Sequence, residues 1–221
     1  MLPAAEFPAP HPSPGVLLIL FLILGASVWV FAMLVRRETR HRRLVSMAQW
    51  ARSHDMQFRR GHGNSAPLPA LEQFDPKILR CIRGRGITLA QIETAAAGPT
   101  TAASKRQWNV MLCDLKTPWP PSALRPTARA FSLVDLFSLS SYPSLMPTER
   151  FVVFGSESRA AKALAESSAP ALLPPDIALI ATGTYLILDF STRHFDEIEF
   201  ERLIDLARQL APRLSRVPAS T

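Results

Sequence analysis

The side chains that could do chemistry in this 221-residue chain are few and scattered. The densest group is His194 with Asp196 and Glu197. A histidine beside two carboxylates offers nitrogen and oxygen ligands to a metal. The same residues also fit a solvated helix start, where carboxylates meet the positive end of the helix dipole and no metal is needed. No C-x-x-C or H-E-x-x-H occurs, and the five histidines are dispersed. Arg59 to Asn64, RRGHGN, sets two glycines among basic residues. It lacks the G-x-x-x-x-G-K-S/T spacing and the strand-before, helix-after context that aims backbone N–H groups at phosphate, so it reads as a turn. Ser156 stands in G-S-E-S, not in G-x-S-x-G. Cys81 and Cys113, the only cysteines, read as small buried hydrophobes. Glu197, Glu199 and Glu201 sit where helix solvation accounts for them. No catalytic residue, cofactor-binding residue or metal ligand is assigned, and the expectation is a non-enzyme without a cofactor.

The element that must position everything else is the uncharged run Gly15 to Val35, GVLLILFLILGASVWVFAMLV. As a helix it spans about 31 Å, close to the hydrocarbon thickness of a bilayer. Fourteen of its residues are Leu, Ile, Phe or Val. At roughly 0.3–0.6 kcal/mol each they favour insertion by about 4–8 kcal/mol. The flanks orient it. Residues 1–14 carry no Lys or Arg, whereas Arg36, Arg37, Arg40, Arg42 and Arg43 come directly after the run, opposed only by Glu38. The positive-inside rule then places the N-terminus outside and the rest of the chain in the cytoplasm, with the arginines fixing topology and touching lipid. A cleaved signal peptide is the rival. It would need a basic lead and a shorter apolar core, with no basic cluster behind it.

Small residues Gly25, Ala26, Ser27 and Ala32 interrupt the apolar run. Gly25 and Ala32 lie two turns apart on one face, a candidate surface for close approach of another helix, although small residues are also common in membrane helices generally. The formal charge of +7 is densest beside the run: residues 36–43 hold five Arg against one Glu, while residues 44–221 are only mildly basic, with 20 basic against 16 acidic groups. The remaining arginines form no stripe of the kind nucleic-acid binding needs, so no nucleic-acid partner is expected.

In chain order, five prolines make residues 1–14 an extended extracytoplasmic lead, and Ser13-Pro14 suits a helix start. Residues 15–35 form the membrane helix. Residues 36–55 continue as a basic juxtamembrane helix to about Ser53, because no Pro or Gly occurs from Arg36 to Arg60. Trp50 either lies on the headgroups or caps the domain core, with the core favoured. Residues 56–214 form one domain, and residues 215–221 a tail. Within the domain, Lys77–Arg83 and Ile87–Thr94 flank Gly84-Arg85-Gly86 as a hairpin. Gln107–Leu115 alternates as a strand, and Pro118, Pro120, Pro121 and Pro126 break the next stretch. Phe131–Phe137 fits either a strand or a short helix. Arg150–Gly155 is a strand, with a short helix after it to about Glu166. Ile177–Ala181 and Thr184–Phe190 read as a hairpin around Thr182-Gly183. Asp196 and Glu199 have capping-box spacing before an amphipathic helix through Leu210 that Pro212 ends. The expected class is α+β, with a mostly antiparallel sheet and two or three helices.

This order of pieces resembles a family of uncharacterised bacterial single-pass membrane-anchored proteins. The residues that carry the likeness are the helix ending near Trp50-Ala51, the ERFVVFGSE strand, the RAAKALAE helix, IALIATGTYLILDF and the closing FERLIDLARQLAPRL. It covers most of residues 16–214, best after Glu149. Where such families place Gly before the first strand, this chain has Asp55. The resemblance implies a single-pass anchor carrying a compact α+β domain, and no activity or site residues. The sequence thus reads as a non-enzymatic accessory or scaffold subunit of a bacterial inner membrane. Its expected partners are membrane lipid and another membrane protein or complex at the cytoplasmic face. Two alternatives stay open: an enzyme of unrecognised type with a site in the α+β domain, and a module that binds anionic lipid surfaces.

Overall fold

The computed structural model describes residues 14–61, 68–95, 105–129, 131–142, 144 and 149–215. The proline-rich lead, the second half of the RRGHGN turn, the small-residue loop after Ala95 and the tail beyond Ser215 lie outside the described residues. Contacts divide the chain into two units, Met1–Ser46 and Met47–Thr221.

The described residues of the first unit, 14–46, are helical. Helix α1, Pro14–Ser53, begins in it and ends in the second unit. Ser27 Oγ donates to the Ile23 carbonyl and Thr39 Oγ1 to the Val35 carbonyl, each at 2.8 Å, so these hydroxyls are satisfied one turn back. Among the described residues no helix is long and apolar enough to cross a membrane. The longest uncharged stretch with every side chain described, Phe21–Val35, is shorter than the roughly 20 residues a spanning helix needs.

In the second unit α1 stops by a left-handed cap. Met56 N–H donates to the Ala51 carbonyl at 2.8 Å and Asp55 N–H to the Arg52 carbonyl at 3.2 Å. This is the paired Schellman pattern, which needs a left-handed residue just past the helix. Asp55 supplies it at φ 53° and pairs with Arg85. An aspartate therefore does here what glycine does at less steric cost.

Six strands make up the sheet, all antiparallel: β1 Gln57–Arg60, β2 Lys77–Gly84, β3 Ile87–Ala95, β4 Lys105–Pro126, β5 Phe151–Gly155 and β6 Ala178–Asp189. The β2–β3 hairpin turns on Arg85 and Gly86, with φ 52° and 73°. Two consecutive positive φ values match the twist of the flanking strands. The order is β1-β2-β3-β4-β5, with β6 also on β4. One edge of β4 pairs first with β3 and then with β5, while the other edge carries β6.

Two expectations fail along this pairing. Ile177–Phe190 is not a hairpin: β6 runs through Thr182-Gly183 as one strand. Gly183 has φ 53°, but the accommodation is in β4, whose register slips between Asp114 and Trp119 and again before Ser122. The prolines expected to break the chain after Leu115 lie in this bulged part of β4 and beyond it. Bulges leave residues outside the ladder, and there a missing N–H costs nothing. Trp119 closes the irregularity by donating from Nε1 to the buried Ser122 Oγ at 2.7 Å.

Both faces of the sheet are covered, which is why all of Trp108–Cys113 is buried although its pattern alternates. One face buries Trp108, Val110, Ile92 and Ile187 with Leu71 of the 3-10 turn Pro69–Phe74 and with Leu133 and Val134 of helix α2, Leu133–Leu136. A second 3-10 turn, Leu139–Ser141, adds Leu139 to the same cluster. Helices α3, Ser158–Glu166, and α5, Glu197–Leu214, pack on β4, with single-turn α4, Ala169–Leu172, between them. From α5 come Phe200, Leu203, Ile204, Ala207 and Leu210, all buried. Trp50 joins this α5 packing, its ring 5.3 Å from Phe200 and its Nε1 donating to Glu201 at 3.2 Å. The helices exceed the expected two or three because α2 and α4 are single turns, too short for a 3.6-residue period to show. Pro212 lies inside α5 rather than at its end.

Two polar centres tie the loops to the sheet. Asp189 is fully buried at the end of β6. It accepts from Leu133 N–H at 2.8 Å and from Ser191 N–H and Oγ at 3.0 and 2.6 Å, and Arg129 lies 3.1 Å away. At the second centre Arg193 donates from Nε and Nη2 to Asp176 at 2.7 and 2.6 Å and from Nη1 to Glu199 at 2.9 Å. Asp196 caps α5 by accepting from Glu199 N–H at 3.1 Å. Only that half of the expected capping box forms, because the Glu199 carboxylate is taken by Arg193 and Arg202.

Removing the Asp189 side chain would leave Arg129 charged in a nearly dry site with only backbone carbonyls to receive its N–H groups. Asp189→Ala in the full chain should therefore cost about 3–5 kcal/mol in urea unfolding monitored by circular dichroism. Asp189→Ala with Arg129→Ala should cost clearly less than the sum of the two single changes. The hydrogen bonds from Arg193 hold the Asp176 carboxyl below the usual carboxylate range. Stability gained from a depressed carboxyl is present above its unfolded pKa, about 3.9, and is lost as pH falls through the lower folded value. The gap in unfolding midpoint between the native chain and Asp176→Asn should accordingly be open at pH 7 and close below about pH 4. A gap that widened on acidification would contradict this assignment.

Candidate functional site

The residues singled out from sequence lie on α1. Arg36, Arg37, Arg40, Arg42 and Arg43 are all exposed. By helical spacing Arg36, Arg40 and Arg43 share one face. Arg42 Nε donates to Glu38 at 2.8 Å, and this bond with the arginine's charge lowers the Glu38 pKa. Part of the positive charge is thus cancelled locally, away from that arginine face. Gly25, Ala26, Ser27 and Ala32 are exposed as well, and a Cβ built on Gly25 would meet nothing within 4 Å.

The scattered chemical candidates do not converge. Among the described residues no group of three His, Cys, Asp or Glu is placed to hold a metal. His194 is exposed and Asp196 is engaged as the α5 cap. Burial raises the thiol pKa of Cys81 and, with the nearby Asp114 charge, pushes that of Cys113 up to about 11, which suppresses the nucleophilic thiolate.

The geometry of a site appears elsewhere. An open cleft of about 840 Å³ lies between the Pro69–Phe74 turn, the segment Phe137–Tyr142, and the bulged crossing of β4 and β6. Its walls carry Glu72, Gln73, Phe137, Tyr142, Thr184 and Tyr185. Phe137 is fixed edge-on against Phe74, with ring centroids 4.9 Å apart. Tyr185 is half-buried and packs on the core cluster, so its ring is held by the sheet. Tyr142 is 41 % exposed. Gly183 faces open space, since a Cβ there would have no neighbour within 4 Å. A ligand can therefore approach the β6 backbone closely. The cleft holds no candidate nucleophile or acid–base pair, and Glu72 is its single charged side chain among the described residues. Its lining offers ring faces, hydroxyls, an amide and one carboxylate.

None of these residues stands out in the sequence. They come from separate segments that only the fold joins. One signal is available: the chain has two tyrosines, Tyr142 and Tyr185, and both line this cleft.

No family model and no curated protein matches the chain. Among solved structures, the crystal structure of the mycobacterial trehalose monomycolate transport factor A, TtfA, is similar to it, with a TM-score of 0.58 at 11% sequence identity. The match covers 80% of this chain and 97% of that one. At that identity the likeness is one of fold.

Proposed function

We propose that this chain is a non-enzymatic, single-pass membrane protein whose α+β domain serves as an accessory subunit of another membrane protein at the cytoplasmic face of a bacterial inner membrane. The observation that carries the reading is the exposure of α1. From Leu18 to Val35 its described large apolar side chains are between 47% and 72% exposed. Leu18, Ile19, Ile23, Phe31 and Leu24 fall at phases right around the helix, so no single protein face could cover them. A helix that is apolar on every side belongs in a protein core or a bilayer. With Val16, Leu17 and Leu20 included, the sequence supplies an uncharged run of spanning length. The arginines at its end favour an inward-facing domain.

The name of the structural neighbour supports an accessory role: TtfA is called a transport factor for trehalose monomycolate. By that analogy this chain assists a membrane protein in the transport of an amphiphile. Within the small-residue run Gly25, Ala26, Ser27 and Ala32, it is Gly25 and Ala32, on one face, that provide the place where the partner's helix would approach. A supporting role for anionic lipid is favoured by the shared face of Arg36, Arg40 and Arg43, at up to about 1 kcal/mol per arginine.

Gentle extraction of the tagged full chain should recover an integral membrane protein in stoichiometric amount. Gly25→Leu combined with Ala32→Leu should cut that recovery at least fivefold while the chain remains in the membrane at its usual level. A monodisperse monomer under every mild condition would contradict the accessory reading.

A further inference from the structure

We propose that the cleft between the Pro69–Phe74 turn and the Gly183 segment of β6 binds a neutral, hydroxyl-rich head group: a glycoside, seated on the chain's two tyrosines. The inference rests on the accessory reading above for its biological setting, since a factor that assists amphiphile transport has a reason to hold a head group. The chemistry is read from the cleft itself.

The size suits a small ligand: about 840 Å³ lies within the range of small-molecule sites. The walls exclude charged ligands of one sign. No Lys, Arg or His lines the cleft among the described residues, and Glu72 does. A phosphate or carboxylate would meet a like charge with no cation to offset it. The arrangement of rings disfavours a compact organic cation. A quaternary ammonium is held by aromatic faces that converge on one point. Phe137 contacts Phe74 instead, and neither tyrosine ring stacks on another ring among the described residues. Among the described residues the cleft's own rings make no contact with one another, which leaves room between them for an extended ligand.

What remains is a ligand with apolar C–H faces and many hydroxyls. Tyrosine offers an apolar ring and a phenol that donates or accepts. Gln73 offers both a donor and an acceptor, Glu72 accepts, and the hydroxyls of Thr182 and Thr184 do either. A sugar ring presents hydroxyls at its rim and C–H groups on its faces, and so matches both sets. The open space over Gly183 lets it settle against the β6 backbone.

Because the chain contains only two tyrosines, the test reads the site directly. The full chain, labelled with 3-fluorotyrosine, is placed in nanodiscs of phosphatidylglycerol and phosphatidylethanolamine with an unlabelled belt and no glycoside detergent. Fluorine NMR then tracks both resonances during titration with maltose or trehalose in solution, and separately with a dihexosyl diacylglycerol doped into the disc. Saturable shifts of both resonances, with apparent affinity weakened at least fivefold by Glu72→Gln and by Thr184→Val, support the proposal. A response to the free disaccharide names a soluble source, and a response to the glycolipid alone names a lipid head group. No shift with either source overturns it. So does a shift that both variants leave unchanged, or a saturable response to choline, inositol phosphate or a proline-rich peptide in place of sugars. Recovery of a membrane partner without any sugar response would remove this inference and leave the accessory reading standing.

Discussion

An apolar helix that no described residue of its own unit covers is the constraint on which the account turns. Water around the side chains from Leu18 to Val35 would cost roughly 25 cal/mol for every Å² left exposed. On the proposed membrane reading the helix requires an apolar medium on all sides, and the sequence supplies an uncharged run long enough to meet one. The arginine cluster at its end and the small-residue patch within it acquire meaning only from that requirement. Without lipid, Gly25 and Ala32 are merely gaps in an exposed helix.

The domain depends on a different device. Strand β4 is the shared member of the sheet, pairing with β3, β5 and β6. A strand that long can serve three partners only if it bends, and its bulge opposite Gly183 is where the bend is absorbed. The same irregularity holds β4 and β6 apart from regular pairing at the floor of the cleft. Asp189 secures the far end of β6, gathering the start of α2, Ser191 and Arg129 around one buried carboxylate. A network of that kind is costly to break and fixes which loops meet the sheet.

Elements governed by local chemistry are legible from sequence. The end of α1 near Ser53, the β2–β3 hairpin on Arg85-Gly86, the Arg150–Gly155 strand and the Asp196 cap are all set by nearby residues. Asp55 stands out as a departure from glycine, and the structure gives it a glycine-like φ. Elements decided by a distant partner are not legible. Thr182-Gly183 supports a turn or a kinked continuous strand equally well, and only the slipped register of β4 decides between them. Prolines signal a chain break or a bulge alike, and they stand here within β4. Asp189 looks like an ordinary strand end until Arg129, 60 residues away, is found beside it. The cleft is hidden for the same reason, because Glu72, Tyr142 and Tyr185 meet only in the folded chain.

The most direct measurement of the central claim is protease digestion of the native full chain in two membrane preparations, with alkaline carbonate extraction afterwards. The account predicts that the α+β domain is cut in everted inner-membrane vesicles and protected in intact spheroplasts. It also predicts that a fragment containing Gly15–Val35 stays in the membrane pellet at high pH. Release of the chain by carbonate, or digestion of the domain from the outer side of intact spheroplasts, would contradict it.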